Sequence, residues 1–166
     1  MSSLLRLGLL SLLVITGCSK EQDDGSFPRV EGISKTSYDN NQLGPRDEND
    51  WLFYEPSDKK LSLFYSIPGA RYDCPPAEDS LISMGTAYPN PCTNGLFLHV
   101  GKAEDYNMDL RVVDSNHKLM RAYDSIAVKY VQLDVNDLKK GQIYRIYYRI
   151  NSPGCSYFGH GDFIKN

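Results

Sequence analysis

Gln142-Ile-Tyr-Arg-Ile-Tyr-Tyr-Arg-Ile150 is the segment that most restricts what this chain can fold into. Successive side chains of a strand point to opposite sides, so period two puts Tyr144, Ile146, Tyr148 and Ile150 on one face and Ile143, Arg145, Tyr147 and Arg149 on the other. Aromatic and β-branched residues suit a pleated surface, and the chain has twelve tyrosines with few long helical periodicities.

The flanking sequence extends the pattern. Leu96-Phe-Leu-His-Val100 reads as a strand, Met108 to Val113 alternates apolar and polar, and Asp114-Ser-Asn-His117 offers a turn into Lys118-Leu-Met-Arg121, which together make a hairpin. Ile126 to Val135 reads as one long or two short strands, and Asn136 to Gly141 turns the chain into the strand at 142. Strands at this spacing predict an all-β fold, an antiparallel immunoglobulin-like β-sandwich. Upstream, residues 27–50 are polar and turn-rich, so extended or irregular structure is expected there. Trp51 to Tyr54 and Leu61 to Ile67 read as two strands across Glu55-Pro-Ser-Asp58, and prolines dominate from Pro68 to Asn94 apart from Leu81-Ile82. The expected organisation is N-terminal strands and a proline-rich connection over 28–87, then the sandwich core over 88–166, with Asn151 to Asn166 as a C-terminal extension.

The first residues carry a different message. Arg6 precedes the apolar run Leu7 to Ile15, which is too short to span a bilayer, and Thr16-Gly17 leads directly into Cys18. Ile15-Thr-Gly-Cys18 resembles the lipobox of bacterial lipoproteins, which implies removal of residues 1–17 and a diacylglyceryl group on the Cys18 thiol. Two or three acyl chains make such an anchor effectively permanent, since each buried CH₂ contributes roughly 0.8 kcal/mol. Residues 18–27 have little to bury and read as a flexible tether. Ser19 resembles the sorting residue of outer-membrane lipoproteins, and Lys20-Glu-Gln-Asp-Asp24 resembles an acidic export tag of surface-displayed ones. Outer-membrane localisation follows from this resemblance, with the periplasmic and surface faces both open.

With Cys18 assigned to lipid, Cys74, Cys92 and Cys155 remain as disulfide candidates in an exported, oxidising setting, and one must be left over. Cys74 and Cys92 close the shortest loop, worth about 3 kcal/mol by chain entropy, and Cys155 can partner either. The spacing fits neither a metal knuckle nor a redox CxxC pair.

Tyr88-Pro-Asn-Pro91, Asn94 to Val100, Leu110 to Leu119 and Asp137-Leu-Lys-Lys-Gly-Gln-Ile-Tyr144 resemble, in order and spacing, the C-terminal sorting domains of type IX secretion cargo. His117 stands where that hairpin carries a glycine. Leu138 to Tyr144 is also similar to the corner of fibronectin-III and immunoglobulin-like domains, which implies a Tyr144 hydroxyl bonded to nearby backbone. Both resemblances imply a β-sandwich.

Chemistry is sparse along the chain. The sequence has no HExxH, GxSxG, P-loop or glycine-rich dinucleotide turn, and His99, His117 and His160 are scattered. Cys155-Ser-Tyr-Phe-Gly-His160-Gly-Asp162 places a thiol, an imidazole and a carboxylate close together, the runner-up case for a cysteine-dependent enzyme. A disulfide cysteine and a glycine-flanked turn suit an exported protein better, and His160 with Asp162 supplies only two metal ligands. Asp47-Glu-Asn-Asp50 and Glu104-Asp105 lack calcium-loop spacing and read as solvated loops. A net charge of −3 gives no basic field for nucleic acid. The expected function is therefore non-enzymatic and without cofactor. It is that of a lipid-anchored binding or scaffolding module, with the membrane and a protein as partners, in an envelope or surface assembly. A periplasmic immunity or inhibitor lipoprotein is the alternative.

Overall fold

Strand β7 (Gln142–Asn151) lies inside a five-stranded antiparallel sheet, bonded along its length to β4 (Asn107–Val113) and to β8 (Ser156–Lys165). The computed structural model describes residues 32–64, 74 and 82–166. The expected signal segment, Cys18 and the expected tether lie outside them.

The large sheet has the order β1-β8-β7-β4-β5, with β1 at Leu52–Phe53 and β5 at Leu119–Ile126. The small one has the order β2-β3-β6, with β2 at Ser83–Met84, β3 at Gly95–Gly101 and β6 at Tyr130–Asp134. The chain crosses between sheets after β1, β3, β5 and β6, so neither sheet is a simple meander. Between them Leu96, Leu98, Val100, Met108, Leu110, Val112, Ile146, Tyr148 and Ile150 form one core in which no side chain is more than 1 % exposed. This is an antiparallel, immunoglobulin-like β-sandwich.

The expected hairpin forms as β4 and β5, and of Ile126 to Val135 the first residue ends β5 while Tyr130–Asp134 forms the single strand β6, with Ser125 in the left-handed region at φ 56° before the break. His117 is also left-handed, at φ 62°, at the hairpin position where a glycine would cost least. Two expectations fail. Leu61 to Phe64 is not strand: a helical turn α1 (Asp58–Leu61) runs into a 3₁₀ turn at Ser62–Phe64, and residues 65–67 lie outside the described ones. The Ser57 carbonyl accepts from the Lys60 and Leu61 amides, and the turn drops Phe64 into full burial. Tertiary burial overrides the alternation that Leu61, Leu63 and Tyr65 suggest.

The supposed C-terminal extension is β8, an interior strand of the large sheet. Its glycines mislead because they mark close approach, not a turn: a side chain at Gly159 would overlap the Tyr148 ring and the Leu52 carbonyl, and one at Gly161 the Trp51 ring. The free edge of β8 is covered twice, by β1 near His160 and by residues around Cys92 near Lys165. Asn90, fully buried, completes that cover. Its amide donates to the Ser34 and Asp162 carbonyls at 2.8 and 3.0 Å and accepts from the Ile164 N–H at 2.9 Å. The Tyr88-Pro-Asn-Pro91 motif, with cis bonds before both prolines, thus ties the N-terminal segment to the last strand.

A candidate site beneath the N-terminal segment

The central strands β4, β7 and β8 of the large sheet are buried on both sides. Its outward positions are Asp109, Arg111 and Val113 from β4, Arg145, Tyr147 and Arg149 from β7, and Phe158, His160 and Asp162 from β8. Residues 50–64 pack over them as a roof. Tyr54, Leu63 and Phe64 meet Val113, Tyr147 and Phe158 in a second, smaller core.

Arginines 145 and 149, which period two alone would leave in water, are almost wholly inaccessible. Buried charge must be paired, and each is. Arg145 Nε and Nη2 donate to the two oxygens of Asp162 at 2.7 and 2.6 Å. Arg149 donates twice to Asp109 Oδ2, at 2.9 and 2.7 Å, while Asp109 Oδ1 accepts from the Ser125 amide. Arg111 donates to the Leu63 carbonyl and pairs with the half-exposed Asp124. The guanidinium groups of Arg111 and Arg149 lie 5.0 and 5.5 Å from the centre of the Phe64 ring, so the roof supplies cation–π contact as well as cover.

At the β8 end this layer draws together residues from two separate sequence motifs. Trp51, left-handed at φ 62°, stacks on Tyr148 at 6.3 Å, and the turn there aims Asp50 at β8. Asp50 Oδ1 accepts the Asp162 amide at 2.7 Å. A ring nitrogen of His160 and an oxygen of each of Asp50 and Asp162 then lie within 4.8 Å of one another. Asp50 is 2 % exposed, and its Oδ2 and His160 Nδ1 have no hydrogen-bond partner among the described residues. Burial first, and the Asp162 charge next, push the Asp50 carboxyl up to about 7, which the Asp162 and Ser34 amides only partly offset. Burial and then the Arg145 charge hold the His160 imidazole down at about 3, so the ring is neutral with a lone pair to offer. The edge of Tyr54 stands against that ring at 5.0 Å.

Other sequence candidates fall elsewhere. Cys155 is bonded to Cys74, which leaves no thiolate beside His160 and corrects the shorter Cys74 to Cys92 loop. The bridge closes 81 residues, worth about 4.5 kcal/mol by chain entropy. Cys92 is the leftover thiol, buried behind β8, and that burial pushes it up to about 11. The Tyr144 hydroxyl accepts the Lys139 amide at 2.9 Å and lies 3.3 Å from the Lys139 carbonyl, a corner closed five residues back. His117, partly buried, stacks on Tyr147, its Nε2 3.1 Å from the Tyr147 hydroxyl.

The sequence reading missed Asp50 as a partner of His160 and Asp162. The available signal was the placement of two arginines and a tyrosine on one face of a strand whose other face is wholly apolar and aromatic. Such a face needs cover from elsewhere in the chain.

The outer face of the small sheet has no such roof among the described residues. Tyr88 stacks on Phe97 with ring centres 5.6 Å apart, and His99 stacks on Tyr130 at 4.5 Å. Tyr130 is 68 % exposed and neighbouring Val128 59 %.

No family model matches the chain, and no curated protein is similar to it. Among solved structures it is similar to a DUF3244 family protein from Bacteroides vulgatus with an immunoglobulin-like β-sandwich fold. Identity is 17 %, the TM-score is 0.36, and the match covers 56 % of this chain and 89 % of that one.

Proposed function

We propose that this protein is a lipoprotein of the outer membrane, held through Cys18, whose sandwich binds a protein partner in an envelope or surface assembly. The observation that carries the reading is the outer face of the small sheet, uncovered among the described residues, where Tyr130 and Val128 stand exposed beside the partly buried rings of Tyr88, Phe97 and His99. Tyrosine and other aromatics bring large contact area at low entropy cost and are enriched at protein interfaces. The lipobox-like Ile15-Thr-Gly-Cys18 supplies the attachment, and the segment after it the reach. A domain on a short leash searches for partners along the membrane, so modest contact area suffices for occupancy.

The anchor is tested by fractionating cells that express the full chain with Cys18→Ser. Transfer of the protein from membranes to the soluble fraction is expected. Unchanged membrane association would overturn the lipid anchor.

A further inference from the structure

We propose that Asp50, His160 and Asp162 form a binding site for one divalent transition-metal ion of the zinc class, seated between the roof and β8. One imidazole nitrogen and two carboxylate oxygens lie within 4.8 Å of one another, contributed by two chain segments more than a hundred residues apart. Zinc binds nitrogen and oxygen at about 2.0 to 2.2 Å, so the ligands of a tetrahedral ion stand about 3.4 Å apart. A cluster within 4.8 Å closes on an ion when each ligand atom moves inward by less than about an ångström. Calcium is the wrong class, because it takes six to eight oxygens and no imidazole.

Two atoms point to a ligand independently of this spacing. Asp50 Oδ2, on a side chain 98 % buried, and His160 Nδ1 have no hydrogen-bond partner among the described residues. Buried polar atoms are otherwise satisfied almost everywhere in proteins, so an unpartnered carboxylate oxygen and an unpartnered ring nitrogen on two residues of this cluster call for an occupant.

The supporting contacts resemble those that orient metal ligands generally. Asp50 is fixed through Oδ1 by the Asp162 amide, and Asp162 is held by the Arg145 fork, which uses two of the roughly four lone-pair positions of a carboxylate. The Tyr54 ring limits how far His160 can swing. Three protein ligands leave a fourth position for water.

The test strips the mature, lipidated protein of metal with a chelator in detergent and titrates it with zinc by calorimetry, then with cobalt by visible absorption. Saturable uptake of one ion per chain is expected, with a cobalt spectrum of low coordination number. Asp50→Asn, which keeps the acceptor for the Asp162 amide, and His160→Gln should each weaken uptake by at least about tenfold. Absence of saturable uptake, or uptake undiminished in both variants, would overturn the proposal. Zinc-edge anomalous diffraction from the unaltered protein decides the matter even where a variant fails to fold. A peak between the three residues supports the site, and a peak elsewhere marks an adventitious ion only and overturns it. None of these readouts depends on a protein partner, so they separate this site from the binding surface.

Discussion

The outer face of the five-stranded sheet carries Asp109, Arg111, Arg145, Arg149 and Asp162 yet is closed off by residues 50–64, whereas the outer face of the three-stranded sheet carries Tyr88, Phe97, His99 and Tyr130 and lies open among the described residues. Simple patterning would exchange them, with charges in water and rings under cover. Charge is retained under the roof because nearly every buried ion has a partner in good geometry. The open face keeps its rings in cross-strand stacks, which cost little order to maintain. A covered charged layer can hold something small, and an open aromatic layer can hold something large.

The sharpest way to break this contrast is to remove one partner of a roofed pair. Asp109→Ala leaves Arg149 buried and uncompensated and should destabilise the protein by about 3–5 kcal/mol in guanidinium unfolding. Asp124, the 52 % exposed partner of Arg111, provides the control: Asp124→Ala should cost under about 1 kcal/mol. Similar small losses in both would mean that water reaches the roofed layer, and the contrast would fall.

A smaller effect is expected at the corner where the chain leaves the small sheet for the large one. Tyr144→Phe removes the hydroxyl that bonds the Lys139 backbone and leaves the ring stacked on Phe163 at 5.5 Å. The loss should be about 0.5–1.5 kcal/mol in the same unfolding assay. A neutral substitution would show that the ring alone closes the corner.

Most strands of both sheets were legible in the sequence, and the roof over the large sheet was not. Leu96 to Val100, the β4–β5 hairpin and the strand at 142 each announce themselves by period two, and the turn residues between them divide them where the structure does. Local pattern suffices where a strand's neighbours follow closely in sequence. The roof depends on contacts across long stretches of chain: Asp50 meets Asp162, Leu63 meets Arg111, Phe64 meets Arg149. Alternation is silent on such pairings, so Leu61 to Phe64 read as strand. Gly159 and Gly161 read as a turn because the Tyr148 and Trp51 rings that require them come from other strands and segments. His160 and Asp162 stood out as two ligands, and only the fold could bring the third. The cysteines likewise left pairing open, because loop length favours Cys92 while β8 buries it out of reach.

The smallest stability change and the largest functional one are expected to coincide at Tyr130. Its side chain is 68 % exposed and its main contact is the His99 ring, so Tyr130→Ala should alter unfolding free energy by no more than about 0.5 kcal/mol, within the range of ordinary surface substitutions. Interface aromatics lose far more on truncation, with hot-spot residues costing about 2 kcal/mol or more of binding free energy. A partner recovered with the lipidated protein from solubilised membranes should therefore be depleted at least about tenfold with the variant, since each 1.4 kcal/mol is a factor of ten in affinity. Both measurements use the same protein, so the two faces can be weighed directly. Depletion without loss of stability would mark the aromatic face as the working surface. Undiminished recovery would transfer that role elsewhere on the sandwich, and a stability loss comparable to that of Asp109→Ala would show that the rings, too, serve as cover.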